Sequence, residues 1–120
     1  MQYRKIVFYK DYFNVFFIKQ PEKVKRKILW TISLIEILPI VPETYLKHIE
    51  NSDGLFELRI QFGNNSYRIF CFFDQDKLVV LSNGFQKKSQ KTPKKEIVRA
   101  TKIKREYENE KRQHTNSGRF

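Results

Sequence analysis

Cysteine, histidine and acidic side chains are all scarce in this chain, and each scarcity removes a class of chemistry. The single cysteine, Cys71, lies in an apolar run, so neither a disulfide framework nor a thiolate metal site can be assembled, and a reducing compartment is acceptable. His48 and His114 are far apart in sequence, and no acid is patterned around either, which argues against a histidine-pair ribonuclease. There is no HExxH pattern, no glycine-rich phosphate loop and no group of acids spaced for a divalent ion, so no metal and no other cofactor is expected. No apolar run approaches the about 18 residues of a membrane span, and Arg4 and Lys5 precede only a short apolar stretch. A cytoplasmic protein is the expectation, with no part in a membrane.

What the chain does have is aromatics and positive charge. Eleven Phe, six Tyr and one Trp in 120 residues, with 40% hydrophobic side chains, are enough for the core of one domain. The sequence predicts a single domain over residues 1–110 and a flexible tail over 111–120. The net charge is +11, and it is unevenly placed. Residues 1–86 hold 12 basic and 9 acidic side chains, whereas residues 87–120 hold 12 and 4. A phosphate-rich partner fits such a distribution, because Lys and Arg that displace condensed counterions supply much of the free energy of nucleic-acid binding. A membrane surface or an acidic protein fits as well.

The pattern of apolar residues predicts an α+β fold. Ile6 to Tyr9 reads as a first strand, and Val24, Ile28, Ile32, Ile35 and Leu38 recur at helical spacing after Pro21, with Lys23, Lys25, Arg26 and Lys27 on the exposed side. Pro39 and Pro42 end that helix. Beyond Ser52-Asp53-Gly54 the period changes to two, with Phe56, Leu58, Ile60 and Phe62 alternating with Glu57, Arg59 and Gln61. Gly63-Asn64-Asn65-Ser66 reads as a four-residue turn into a second strand, Tyr67 to Phe73. Placing Phe62 opposite Tyr67 sets Gln61 beside Arg68 and Arg59 beside Phe70, with Arg59 and Arg68 on one surface. Leu78 to Asn83 follows as a third strand, bringing Asn83 near Arg68. Thr92 and Pro93 then open a final helix striped by Ile97, Ala100, Ile103 and Tyr107. The expected architecture is a small antiparallel sheet with N-terminal helices packed on one face and a C-terminal helix.

Two constellations carry chemistry. Gly84 to Glu96 holds five lysines, Lys87, Lys88, Lys91, Lys94 and Lys95, between a strand and the start of a helix. The helix dipole repels cations there by up to ~1 kcal/mol each, so an anionic ligand accounts for them better than stability does, although a solvated basic loop is the alternative. Arg59 and Arg68 form the second group, placed to grip a phosphate from the sheet, unless an acid claims one of them. RNA can be cut without a metal when a base takes the ribose 2′-OH proton and cations stabilise the charge on the phosphate. A lysine crowded by other cations is a candidate for that base.

Glu57-Leu58-Arg59-Ile60, Tyr67-Arg68-Ile69-Phe70, Gly84-Phe85 with Lys87-Lys88, and Lys91-Thr92-Pro93 with Glu96-Ile97 and Ala100 occur in an order and spacing that resembles the RelE/ParE toxin superfamily, most closely its phage-derived HigB-like branch. About half the chain is covered. The resemblance implies the toxin of a type II toxin–antitoxin system, a metal-independent and ribosome-dependent mRNA endonuclease. It implies a HigA-like helix-turn-helix antitoxin as partner, the ribosome and mRNA as targets, and operator DNA contacted only through the antitoxin complex. By position Arg59, Arg68, Lys87 and Lys88 match catalytic residues, with Lys91, Lys94 and Lys95 beside them to bind substrate and Tyr107 as the candidate for a C-terminal tyrosine. The superfamily also contains gyrase-directed ParE-like toxins, and a non-catalytic module that binds RNA or the ribosome is a third reading.

Overall fold

Tyr67 to Phe72 is apolar at every position but Arg68, a pattern suited to a strand covered on both faces. In the computed structural model, which describes residues 2–117, this run is the middle of a five-stranded sheet. The elements are β1 (Lys5–Phe8), α1 (Tyr12–Phe17), α2 (Glu22–Ile37), β2 (Leu46–His48), β3 (Leu55–Phe62), β4 (Asn65–Asp74), β5 (Leu78–Lys87) and α3 (Lys94–Ser117). The strands lie in the order β1-β5-β4-β3-β2. The class is α+β as expected, but the sheet is mixed rather than purely antiparallel. β1 runs parallel to β5, with Lys5 beside Leu78 and Phe8 beside Leu81. Four residues of strand say nothing about direction. The crossing helices decide it, by carrying the chain to the far edge before the β2–β5 meander returns to β1.

Two cores sandwich the sheet. On one face Phe13 and Phe16 of α1 and Val24, Ile28, Ile32 and Ile35 of α2 bury Leu58, Ile60, Tyr67, Ile69, Cys71, Val79 and Leu81. On the other face α3 brings Ile97, Ala100 and Tyr107 onto Leu55, Phe70, Phe72 and Val80. Each fully buried Leu or Ile contributes about 1.5–3 kcal/mol, so alternate residues of β3, β4 and β5 tie the helices of both faces to one sheet. Pro21 caps α2 in extended backbone, and Leu38, also extended, ends it ahead of Pro39.

The β3–β4 turn is tighter than the sequence suggests. Phe62 pairs with Asn65 across a two-residue turn, Gly63-Asn64, in which Gly63 has φ +60°, the sign required at the first position of a II′ turn. The register therefore differs from the expected one, and Arg59 stands directly opposite Arg68. Asp74 pairs with Leu78 across the next turn, and a bulge on β5 sets Ser82 and Asn83 against Phe70; the turn and the bulge shift the register by one residue each, so the partner of Arg68 on that side is Phe85 and not Asn83. Helix α3 continues through 111–117, where a tail was expected, and residues 118–120 lie outside the described residues.

Polar contacts hold α3 on its half of the sheet. Tyr107 donates to Asp74, which also accepts from Lys111. Lys10 pairs with Glu106 and Glu110, and Tyr12 donates to Glu106 at 2.7 Å. Burial raises the Asp74 pKa, but hydrogen bonds from Lys111 and Tyr107 outweigh it and hold the carboxyl below its ordinary 3.8. Burial, with the bond to Asp74, pushes the Tyr107 phenol up to about 12. A depressed carboxyl stabilises the fold above its unfolded pKa and loses that contribution as pH falls through the folded one. The contribution of Asp74 is therefore present at neutral pH and lost below about pH 4. In Asp74→Asn this part of the acid dependence is expected to vanish from urea unfolding measured at stepped pH.

Gly84 supports the opposite core. A Cβ there would lie 2.6 Å from the Phe16 ring, which rests on the bare backbone of β5. Gly84→Ala is expected to displace that ring and cost about 1–3 kcal/mol, the usual penalty of overpacking, read as a lower urea midpoint at unchanged slope.

Candidate functional site

Helix α3 covers only part of its face of the sheet. Past Phe70 and Leu55, the hairpin end carries Glu57, Arg59 and Gln61 on β3, Ser66 and Arg68 on β4, and Phe85 and Lys87 on β5. Alternation puts all of these side chains on the α3 face of the sheet, where Phe85 stacks on Phe70 at the edge of the second core and the others lie beyond it. Arg59, Arg68 and Phe85 form one row across the strands, and Gln61, Ser66 and Lys87 the next. Ser66 donates to Gln61 Oε1 at 2.6 Å, tying together two members of the outer row at the tip.

Two guanidiniums directly opposite one another repel. Glu57 removes the conflict: its Oε2 lies 3.4 Å from Arg59 Nε and 3.3 Å from Arg68 Nε, and Thr92, ahead of α3, donates to its Oε1 at 3.4 Å. Glu57 and Arg68 are each only 7% exposed, whereas the Arg59 side chain is 32% exposed. Burial lowers the Arg68 pKa and Arg59 adds to the effect, while Glu57 opposes it. Arg68 Nη1 donates to its own strand at the Tyr67 carbonyl, 3.0 Å away. Its buried Nε faces Glu57 without hydrogen-bond alignment. The pair is thus part of the fold as well as of the surface. An acidic partner for Arg59 was considered from the sequence, but the shared role of Glu57 was not legible, because it depends on the register.

Two hollows adjoin these rows. One of about 250 Å³ lies at the β3 edge past the end of β2 and is lined by Thr44, Arg59, Ile60, Gln61 and Arg68. The other, about 640 Å³, lies between the hairpin tip and the loop after β5, with Ser66, Gln86, Lys87, Lys88 and Gln90 in its wall. The structure therefore brings Arg59 and Arg68 together, and Lys87 and Lys88 together, on adjoining parts of one surface. Lys87 Nζ donates to the Gln90 carbonyl at 2.7 Å, which fixes the loop. Lys91, Lys94 and Lys95 are exposed and line neither hollow. Tyr107 is not on this surface. It packs between Tyr9 and Phe72 and serves the anchoring of α3. Among the described residues no three His, Cys, Asp or Glu side chains converge as metal ligands, and no helix is long and apolar enough to cross a membrane.

Residues 15–105 match the family model described as "Phage derived protein Gp49-like (DUF891)". The chain belongs to this family. The match spans both arginines, the lysine pair and most of the two cores of this Gp49-like protein. No curated protein matches it. Among solved structures, it is similar to a chain in the crystal structure of the archaeal RelE–RelB complex from Pyrococcus horikoshii OT3, with a TM-score of 0.51 and 21% identity over 70% of this chain and 93% of that one. The Gp49-like chain thus has the RelE fold.

If Glu57 is what allows Arg59 and Arg68 to face each other, Glu57→Gln leaves two opposed cations, one of them buried. Breaking a buried pair costs about 3–5 kcal/mol, and the partial exposure of Arg59 places this case at or somewhat below the lower end. Urea unfolding should show that loss, and a change under about 0.5 kcal/mol, the range of neutral surface substitutions, would mean that the carboxylate is dispensable.

Proposed function

We propose that this Gp49-like protein is the toxin of a type II toxin–antitoxin pair and an endoribonuclease that cuts mRNA on the ribosome, in the cytoplasm, without a metal ion. The observation that carries the reading is the facing pair Arg59 and Arg68 beside Lys87 and Lys88, on the open sheet face of a RelE fold. The antitoxin is of the HigA-like helix-turn-helix kind, and operator DNA is reached only through the complex with it.

The chemistry needs no water. The ribose 2′-oxygen attacks the adjacent phosphorus, a base takes the 2′ proton, the bond to the 5′-oxygen of the next nucleotide breaks, and that oxygen leaves with a proton. The products are a 2′,3′-cyclic phosphate and a 5′-hydroxyl. Arg59 and Arg68 meet the phosphate oxygens and stabilise the charge that builds on them, in surroundings where burial strengthens the interaction. One of Lys87 and Lys88 accepts the 2′ proton. Lys91, Lys94 and Lys95 hold flanking phosphates through counterion release.

The test is expression in bacteria with and without the adjacent small gene, followed by mapping of mRNA 5′ ends. Growth arrest with cuts confined to translated codons is expected. Arrest with intact mRNA and altered supercoiling would favour a gyrase-directed toxin, and no arrest a binding module. Arg59→Ala is the cleanest single probe because that side chain is partly exposed, and it should lower cutting roughly 100-fold or more, as loss of a transition-state donor does. Arg68→Ala removes the buried partner of Glu57 and leaves it only the partly exposed Arg59, so Arg68→Lys with an unfolding control is the better companion. Replacing Lys87 and Lys88 together by Arg should abolish cutting if one is the base, and spare it if both only bind phosphate.

A further inference from the structure

The outward face of α2 is unlike the rest of the surface. Leu29 is 51% exposed, Trp30 45%, Ile37 53% and, just past the helix, Ile40 85%. Residues 26, 29, 30, 33 and 37 recur at three- and four-residue steps, so they form one stripe on the side away from the sheet. Scattered apolar residues on a surface need no explanation, but a contiguous stripe with a Trp in it does. Trp30 is also held in place: the Tyr45 ring meets it edge-on at 5.6 Å, and Lys27 Nζ lies 4.6 Å from its centre. A large aromatic fixed in this way loses little freedom when it is covered.

The first half of the helix is cationic. Lys23, Lys25, Arg26 and Lys27 stand there with one acid, Glu22, which pairs with Lys25 at 3.7 Å. The face thus reads as a positive half followed by an apolar half. RNA would match the first but leave Leu29, Ile37 and Ile40 without contacts, since nucleic-acid interfaces are markedly more polar. A second copy of this +11 chain would match the apolar half but oppose like charges.

We propose that this face docks an acidic amphipathic segment of a partner protein, its apolar side laid on Trp30 and Ile37 and its carboxylates toward Arg26 and Lys23. The proposal takes the partner's identity from the toxin–antitoxin reading, the antitoxin being the protein that carries the segment. Because α2 lies over Leu58 and Ile60, on the side of the sheet opposite Arg59 and Arg68, a segment seated here leaves the basic surface uncovered. Docking and RNA cleavage are therefore separable by mutation.

The experiment measures binding of the purified product of the adjacent small gene to the full chain by calorimetry, beside cleavage of mRNA on translating ribosomes to which the chain is added without that product. Trp30→Ala and Ile37→Ser, both at exposed positions, should each weaken the complex roughly 30-fold, the loss typical of a central interface residue. Arg26→Glu should weaken it further at low salt than at high salt. RNA cleavage by these variants should equal that of the unsubstituted chain. Complex formation unchanged by all three substitutions overturns the proposal while leaving the endonuclease reading intact, and so does failure of the gene product to bind. Loss of RNA binding in Trp30→Ala with the complex intact assigns the face to nucleic acid instead, and a concentration-dependent dimer dispersed by Ile37→Ser assigns it to a second copy. Absence of cleavage in the unsubstituted chain counts against the endonuclease reading alone, since the calorimetric arm is independent of it.

Discussion

One buried carboxylate lets this sheet carry its charge. Glu57 lies between Arg59 and Arg68, on the same face and within 3.4 Å of both guanidinium Nε atoms. Without it the facing strands would present two cations at adjacent positions, one in the central strand, and β3–β4 pairing would work against Coulomb repulsion. With it the cluster carries a net single positive charge. It stays compatible with the core yet keeps guanidinium edges on a hollow at the β3 edge.

The length of the contact made by α3 sets where that cluster begins. Ala100, Ile97 and Tyr107 cover Leu55, Phe70, Phe72 and Val80, and the helix is fixed at the far end of β4 through Asp74 and on the N-terminal segment through Lys10 and Tyr12. Apart from Phe85, which stacks on Phe70 at the edge of that core, the face residues nearer the hairpin tip are polar. Thr92 marks the border, since it leads into α3 and touches Glu57. The helix that closes the second core therefore also frames the basic surface.

Much of this was legible in the sequence, and the failures have physical causes. Period-two alternation in β3 put Arg59 on the non-core face, and the run after Tyr67 put Arg68 with it, so the shared surface was found. Their direct opposition was not, because a glycine at the first turn position shortens the loop to two residues, and each change in loop length moves every pair in the hairpin. The neighbour of Arg68 on β5 was misplaced for a related reason: the β4–β5 turn shifts the register by one residue, and the bulge at Ser82 and Asn83, which leaves no mark in composition, shifts it by another. The direction of β1 depends on which edge of the sheet it joins, which is a tertiary fact. The apolar stripe on α2 was hidden in a different way, since a helix with Leu29, Trp30 and Ile37 in addition to its core residues looks merely more hydrophobic until the sheet takes up one side.

The choice of cation follows burial across the whole surface. At Arg68, where exposure is slight and burial lowers the pKa, a guanidinium, the most basic of the side chains, keeps its proton more securely than a lysine ammonium, whose pKa shifts readily on burial. A planar fork can also turn one edge to Glu57 or a strand carbonyl and another toward the hollow, which a point-like ammonium cannot. The five lysines from Lys87 to Lys95 stand instead at the last position of β5, in the loop after it and in the first turn of α3, where a flexible charge is stable in contact with water. On the function proposed above, rigid cations within the sheet would hold one phosphate closely while adaptable ones around it follow the rest of the RNA strand.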